Sequence, residues 1–428
     1  VTEVEREELL EAYAAAVLGA LDPHGPRRLH AVYSPVHGVG GEVLPWLFER
    51  AGFRPPDPVP TQSAPDPDFP TAPFPNPEEP GVLDLALAQA EETGADIVIA
   101  NDPDADRLAV AVPGHGGGWR ALTGDEVGAL LGSDLIARKV PAAAGDGDAD
   151  GDVPVVACSI VSSTLLGKIA ASAGVHFVET LTGFKWIARA ADDIAGGRLL
   201  FGYEEALGYA VSPAVRDKDG LSAALLVAEL AARARETGET LVGALDELEA
   251  RFGVHLTSQW SLRLSGPGAQ HRLAAIVDRW RRQPPARLGG LAVTRVVDLG
   301  AGDAGLPATD GVLLELAELR SAGHAAPNDR RTGRTGPRDP RESDAVLGDP
   351  STSEAASGQP RTGVAIPGCG SAGGGGATGR VVVRPSGTEP KLKAYLEIVL
   401  PPGGDGAQDR AAALLHALRS DVATGLDP

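Results

Sequence analysis

Cysteine occurs only twice in the 428 residues, at Cys158 and Cys369. Two thiols are too few for a disulfide framework, so the fold must be held by its cores, and a reducing cytoplasm is the expected setting. Long hydrophobic runs are also missing: no apolar stretch approaches the ~20 residues that a membrane-spanning helix needs. Positive charge is scarce. The 38 Lys and Arg are outnumbered by 58 Asp and Glu, a formal net charge of −20, which opposes general binding to nucleic acid or anionic membrane. Neither a signal sequence nor a polybasic targeting segment is visible. Apolar residues are plentiful: the hydrophobic content is 43%, and a chain of this length suits about three domains with sizeable cores.

Against that background the acidic residues are unevenly placed. The run Asp96-Ile97-Val98-Ile99-Ala100 leads straight into Asn101-Asp102-Pro103-Asp104-Ala105-Asp106-Arg107. Three carboxylates crowded at a strand end repel one another unless a cation sits among them. Hard oxygen ligands of this kind suit Mg²⁺, which keeps several waters and is commonly shared with a substrate phosphate. Arg107 can fork onto a phosphate oxygen beside them. The pattern taken alone also fits a solvated turn. A calcium loop of the EF-hand type fails, because its required Gly and Glu positions, counted from Asp102, hold Arg107 and Pro113. An aspartyl-phosphate phosphatase remains a lesser alternative, with Asp102 as nucleophile.

A second polar turn lies between the apolar runs Gly379–Arg384 and Leu392–Val399. Arg384 offers a fork of donors, Ser386 and Thr388 offer hydroxyls, and Gly387 lets backbone N–H groups approach an anion closely. The turn taken alone also fits a solvent-exposed hairpin, in which Lys391 and Lys393 serve as edge-strand charges. A third turn is Gly202-Tyr203-Glu204-Glu205-Ala206-Leu207-Gly208, whose two carboxylates can accept hydrogen bonds from sugar hydroxyls. Upstream, Thr182-Gly183-Phe184-Lys185 lies just before an expected helix, where backbone donors favour anionic or polyhydroxy ligands.

Together these segments resemble the α-D-phosphohexomutase superfamily, particularly its phosphoglucomutase, phosphomannomutase and phosphopentomutase members. The resemblance also touches Ser34–Gly40, Leu122–Glu126 and Asp217–Gly220. It implies that Asp102, Asp104 and Asp106 hold Mg²⁺, that Thr182 to Lys185 and Glu204 to Gly208 recognise the sugar, and that Arg384 to Lys391 bind the distal phosphate. The implied substrate-binding residues are therefore Thr182, Gly183, Glu204, Glu205, Ala206, Arg384, Ser386, Gly387, Thr388 and Lys391. Arg107 is expected to neutralise the transferring phosphoryl group, with Lys185 and His37 as candidate proton carriers.

The implied reaction moves a phosphoryl group between the 1- and 5/6-positions of a sugar phosphate through a sugar bisphosphate, using a phosphoserine. Family members carry that serine in a segment reading like Thr-Ala-Ser-His-Asn-Pro, which occurs nowhere here; with Val1 at the start and no Met, the chain is expected to lack the first domain. A catalytically incomplete sugar-phosphate binding protein is the alternative. Many glucose and mannose mutases have Ser two positions after the first Glu of the sugar turn, where this chain has Ala206. That resemblance to the phosphopentomutase-related branch ranks pentose phosphates slightly above hexose phosphates.

The expected architecture is α/β: successive mixed-sheet domains over 1–120 and 121–252, then a C-terminal α+β phosphate-binding domain over 253–428. Helices are expected at Arg6–Leu21, Gly41–Arg50, Gly81–Thr93, Gly124–Lys139, Gln270–Arg282 and Asp405–Ala423. Strands are expected at Leu29–Tyr33, Asp96–Ala100, Val153–Ser159, Val254–Leu264, Leu291–Val297 and Gly311–Leu319. Arg54–Pro80 reads as an extended connection, Ala142–Asp152 as an acidic linker, and about 321–379 as a disordered insertion whose Arg330–Arg334 cluster belongs to a solvated loop.

Overall fold

The computed structural model describes residues 5–140, 152–302, 306–319, 376–386 and 390–427. Among them, three sheets follow one another along the chain. The first holds β1 (Ala31–Ser34), β2 (Asp57–Pro58), β3 (Ile97–Ala100), β4 (Ala109–Pro113) and β5 (Trp119–Ala121). Its order is β2-β1-β3-β4-β5, parallel through β3 and antiparallel beyond it. The second holds β6 (Val153–Ser159), β7 (His176–Thr180), β8 (Gly197–Glu204) and β9 (Gly208–Ala210) in the order β7-β6-β8-β9, with only β9 antiparallel.

The third sheet is antiparallel throughout, ordered β10-β15-β14-β13-β12-β11. It comprises β10 (Val254–Arg263), β11 (Arg287–Leu288), β12 (Leu291–Asp298), β13 (Val312–Ala317), β14 (Thr378–Pro385) and β15 (Lys391–Leu400). The successive mixed α/β sheets with an α+β C-terminal unit are the architecture expected from the sequence.

Helices α1 (Arg6–Leu18), α2 (Gly40–Arg50), α3 (Asp84–Thr93), α4 (Gly124–Lys139), α5 (Leu165–Ser172), α6 (Phe184–Ile187), α7 (Gly220–Thr237) and α8 (Leu241–Phe252) cover the first two sheets; α9 (Ala269–Arg282) and α10 (Ala407–Gly425) cover the third. One apolar cluster runs from Ala14 through Leu44, Ile99, Leu131, Phe201 and Leu225 to Leu248. It spans both sides of residue 120, so the first two sheets share a core. The third sheet buries its own, built on Val277, Trp280, Val381, Leu392, Ile398 and Leu418.

The starts of the helices near the site are fixed by side chains. Thr123 and Glu126 close a reciprocal capping box on α4, and Asp219 accepts from the Leu221 and Ser222 N–H groups at the start of α7.

Several expected bounds move. The first helix stops at Leu18, ahead of Gly19, and the third starts at Asp84, because Gly81 takes a φ of +86° that no helix continues. Asp57–Pro58 interrupts the expected connection by pairing with β1. The expected insertion through 379 ends earlier: Thr378 and Gly379 already pair with Ala317 and Leu316 and with Val399 and Ile398. Most of the insertion, 321–375, and nearly all of the acidic linker lie outside the described residues.

Candidate active site

β3 is buried along its whole length, and its carboxyl end delivers the acidic turn before the chain reverses into β4. The reversal is tight, with Ala105 at a φ of +59°. Side-chain oxygens of Asp102, Asp104 and Asp106 converge within 4.8 Å of one another, Asp102 buried and Asp104 exposed. Arg107 donates its backbone N–H to Asp102 Oδ1 at 3.0 Å, and its Nε lies 3.5 Å from Asp102 Oδ2 and 3.9 Å from Asp106 Oδ1. Lys218 Nζ stands 2.7 Å from Asp106 Oδ2. Burial pushes the Asp102 carboxyl up to about 6; Asp106 and Asp104 push the same way, while the Arg107 N–H and guanidinium oppose them. Three hard oxygens in so small a cup, one side of it open, fit an ion of the Mg²⁺ type.

The cup is stapled from behind. Tyr33 Oη donates to Asn101 Oδ1 at 2.9 Å, and Asn101 Nδ2 donates to the Arg107 carbonyl at 2.5 Å. Gly220 donates its N–H to the Ala105 carbonyl at 3.1 Å. A Cβ at Gly220 would sit 2.2 Å from the Arg107 carbonyl oxygen, so only glycine lets α7 begin this close.

From the acidic turn the contacts pass directly to the Glu204–Gly208 turn. Leu108 donates its N–H to the Leu207 carbonyl at 3.0 Å, and Arg107 pairs with Gly208 in an antiparallel bridge. At the other end of that turn, Glu204 Oε1 accepts the Gly183 N–H at 2.6 Å, with Gly183 at a φ of +109° that favours glycine. Glu205 Oε2 accepts from Ser159 Oγ at 3.2 Å and Ser162 Oγ at 3.4 Å. Burial pushes its carboxyl up to about 8, reinforced by Asp125 and Glu204 and opposed by Lys393. Glu205 also lines a cavity of about 310 Å³ together with Thr123, Leu207, Thr257 and Tyr395.

Strand β14 closes the arc. Arg384, on β14, donates from Nη1 to Thr182 Oγ1. Lys393 lies opposite it on β15, its ammonium pushed down by burial while Glu205 opposes that shift. Ser386 donates its N–H to the Lys391 carbonyl at 2.7 Å, which closes the ladder at the base of the turn. Gly387 and Thr388 lie outside the described residues.

The structure thus joins Asp102, Asp104, Asp106, Arg107, Thr182, Gly183, Glu204, Glu205, Ala206 and Arg384 in one chain of contacts. His37 and Lys185 stand apart from it. The His37 ring is 4% exposed and places Nε2 2.8 Å from Thr71 Oγ1, and its loop touches the acidic turn through the Val39 N–H and Pro103 carbonyl. Lys185 is exposed, its ammonium 5.6 Å from the Trp186 ring centroid. Residue-by-residue reading missed Asn101, Ser159, Ser162 and Lys393 as site residues. Lys218 lies within the Asp217–Gly220 run that shares in the resemblance.

Three family models match the chain: Phosphoglucomutase/phosphomannomutase, alpha/beta/alpha domain II over residues 11–116, alpha/beta/alpha domain III over 123–251, and the C-terminal domain over 375–401. A Haemophilus influenzae protein named "Probable phosphomannomutase" is 41% identical over 296 residues, covering 69% of this chain and 57% of that protein. The Mus musculus phosphopentomutase is 35% identical over 378 residues, covering 87% of this chain and 53% of that protein. This chain therefore spans little more than half the length of these relatives. A phosphoglucomutase/phosphomannomutase family protein from Burkholderia thailandensis shares the fold, with a TM-score of 0.56 at 16% identity over 98% of this chain and 64% of that one. The chain belongs to the α-D-phosphohexomutase superfamily.

Proposed function

We propose that this chain is the metal-, sugar- and distal-phosphate-binding part of a phosphosugar mutase, an isomerase that exchanges phosphate between the 1- and 5/6-positions through a sugar bisphosphate. The observation that carries the reading is the unbroken run of contacts from Arg384 through Thr182, Gly183 and Glu204 to Leu207 and Leu108, beside the acidic cup. Two phosphate-seeking ends flank a stretch of sugar-seeking groups, the layout a substrate with a phosphate at either end requires.

Each residue then has a task. Asp102, Asp104 and Asp106 would hold Mg²⁺, which supplies charge neutralisation at a phosphoryl group. Arg107 adds a cation at the same place. Glu204 and Glu205 orient sugar hydroxyls, and Arg384, with Ser386, Gly387, Thr388 and Lys391, holds the phosphate that is not reacting. The phosphoryl donor is a phosphoserine from an N-terminal domain, so these 428 residues alone bind without turning over; the divisions near residues 120 and 252 and the cytoplasmic setting belong to the same proposal. A phosphatase using Asp102 is disfavoured, because that carboxylate is buried and spends Oδ1 on the Arg107 N–H.

Calorimetric titration with ribose 5-phosphate, glucose 1-phosphate and inorganic phosphate tests this. The sugar phosphates are expected to bind more tightly than phosphate alone, and Arg384→Ala to weaken them about 10- to 100-fold, the worth of a forked charge-assisted contact. No sugar-phosphate binding by the intact chain would refute the reading. Phosphoryl exchange by the chain alone would refute the assignment of the donor to another domain.

A further inference from the structure

Arg380 and Arg384 lie on the same face of β14, two pleats apart, and each stands opposite a charged residue of β15. Arg380 pairs with Glu397 and Arg384 with Lys393, with Val382 opposite Tyr395 between them. At one end the Arg384 side chain reaches Thr182 in the candidate site, whereas Arg380 meets the site only through the Ser162 backbone. The other end is buried, Arg380 at 7% exposure and Glu397 at 4%.

The Arg380 guanidinium has three arms and all are used. Nη1 lies 2.5 Å from Glu179 Oε1, Nη2 donates to the Ser162 carbonyl at 2.5 Å, and Nε sits 3.7 Å from Glu397 Oε2. Glu397 in turn accepts from Ser163 Oγ at 2.8 Å, from the Thr164 N–H at 2.8 Å and from Thr164 Oγ1 at 3.0 Å. The two segments gripped on the second sheet are the ones that carry site residues. Glu179 is on β7, which runs out into Thr182, and Ser162 is the residue whose hydroxyl holds Glu205. Between the clamp and the site, Val382 and Tyr395 pack against Ile160 and Val161.

We propose that Arg380 is a positioning residue that sets how closely β14 approaches the sugar loops, and so places Arg384 against Thr182. The inference rests on the proposed function above. A buried ion pair is weak evidence for stability, since apolar replacements often serve as well. A planar fork that binds a carboxylate and a backbone carbonyl at the same time fixes direction as well as distance, which a lysine ammonium does not reproduce. The clamp is remote from the ligand, yet an error in its geometry passes along the rigid strand to Arg384.

The test is a double-mutant cycle on the affinity of the full chain for glucose 1,6-bisphosphate, measured by calorimetry at a temperature where circular dichroism shows every variant folded. Arg384→Lys serves as the second background, because its retained charge keeps binding measurable. Arg380→Gln is expected to weaken binding about tenfold in the wild-type background and less than about twofold with Arg384→Lys, since its effect passes through Arg384. Equal losses in both backgrounds, or no loss in the wild-type background, would overturn the proposal. If Arg380→Gln does not fold, Arg380→Lys and Glu179→Gln are put through the same cycle under the same criteria. Failure of the underlying reading looks different: the wild-type chain does not bind, or Arg384→Lys binds as the wild type does.

Discussion

Lys218 Nζ and Asp106 Oδ2 stand 2.7 Å apart, so a lysine at the start of α7 reaches the acidic cup that follows β3. With Arg107 beside Asp102, the three carboxylates already have two cations of the chain's own for company, and a divalent ion must compete with them. Lys218→Met is therefore expected to tighten Mg²⁺ binding severalfold. Asp104→Asn should weaken it by about tenfold or more while leaving the fold intact, because Asp104 is exposed. Calorimetry with MgCl₂ measures both, and unchanged affinity in Asp104→Asn would remove the ion from the site.

Glu229 makes a stability prediction of a different kind. Its carboxylate is fully buried on α7 and accepts from Arg27 Nη1 at 3.0 Å, Arg138 Nη1 at 2.8 Å and the Asp22 N–H at 2.9 Å, joining α4, α7 and the segment before β1. Glu229→Gln leaves the half-buried Arg27 guanidinium without its charge partner and Arg138 with Asp134 alone, and is expected to cost about 1–3 kcal/mol. Urea unfolding reads this as a lower midpoint at unchanged slope; a loss below about 1 kcal/mol would mean that the arginines find other partners.

How much of this was legible beforehand depended on how far apart the cooperating residues lie in the chain. Asp102, Asp104 and Asp106 sit on one turn after an all-apolar strand, so their chemistry could be read directly. The Arg384 turn and the Glu204–Gly208 turn could also be read, as polar reversals between apolar runs. Lys218 meets Asp106 only because Gly220 lets α7 start against the Arg107 carbonyl, a tertiary approach with no local signature. Arg380 reads in sequence as one charge in a β-branched strand. Glu397 reaches it from the neighbouring strand of the same sheet and Glu179 from the second sheet packed against it. His37 attracted a catalytic role by its residue type, yet its ring is turned to Thr71.

The pH dependence of stability should single out Glu205. Its carboxyl is pushed from 4.5 up to about 8, and that of Asp125 from 3.8 up to about 6, burial being the leading cause in both. Between the unfolded and folded values the native state keeps a proton that the unfolded chain has released. Stability therefore falls as pH rises, by up to about 1.4 kcal/mol per unit for each group. Asp125 and Asp102, both raised to about 6, have completed their contributions by about pH 7, which leaves Glu205 to carry the decline from about 7 to 8. Denaturant midpoints at pH 7, 7.5 and 8 should fall for the wild type and stay level for Glu205→Gln. Equal slopes would show that Glu205 ionises freely in the folded state.

Ala206 carries the substrate prediction. It is half-buried between Glu205, caged by Ser159 and Ser162, and Leu207, tied to Leu108, so the backbone on both sides of it is fixed. Ala206→Ser therefore adds a hydroxyl without moving the turn. A sugar with one more hydroxyl to satisfy gains from that partner, and a smaller sugar does not; pockets built on hydrogen bonds discriminate in this way. The ratio of affinities for glucose 1-phosphate over ribose 1-phosphate is expected to rise about 5- to 10-fold in Ala206→Ser, the value of one net hydrogen bond. An unchanged ratio would mean that this turn position does not meet the sugar, and the ranking of pentose phosphates above hexose phosphates would lose the residue on which it rests.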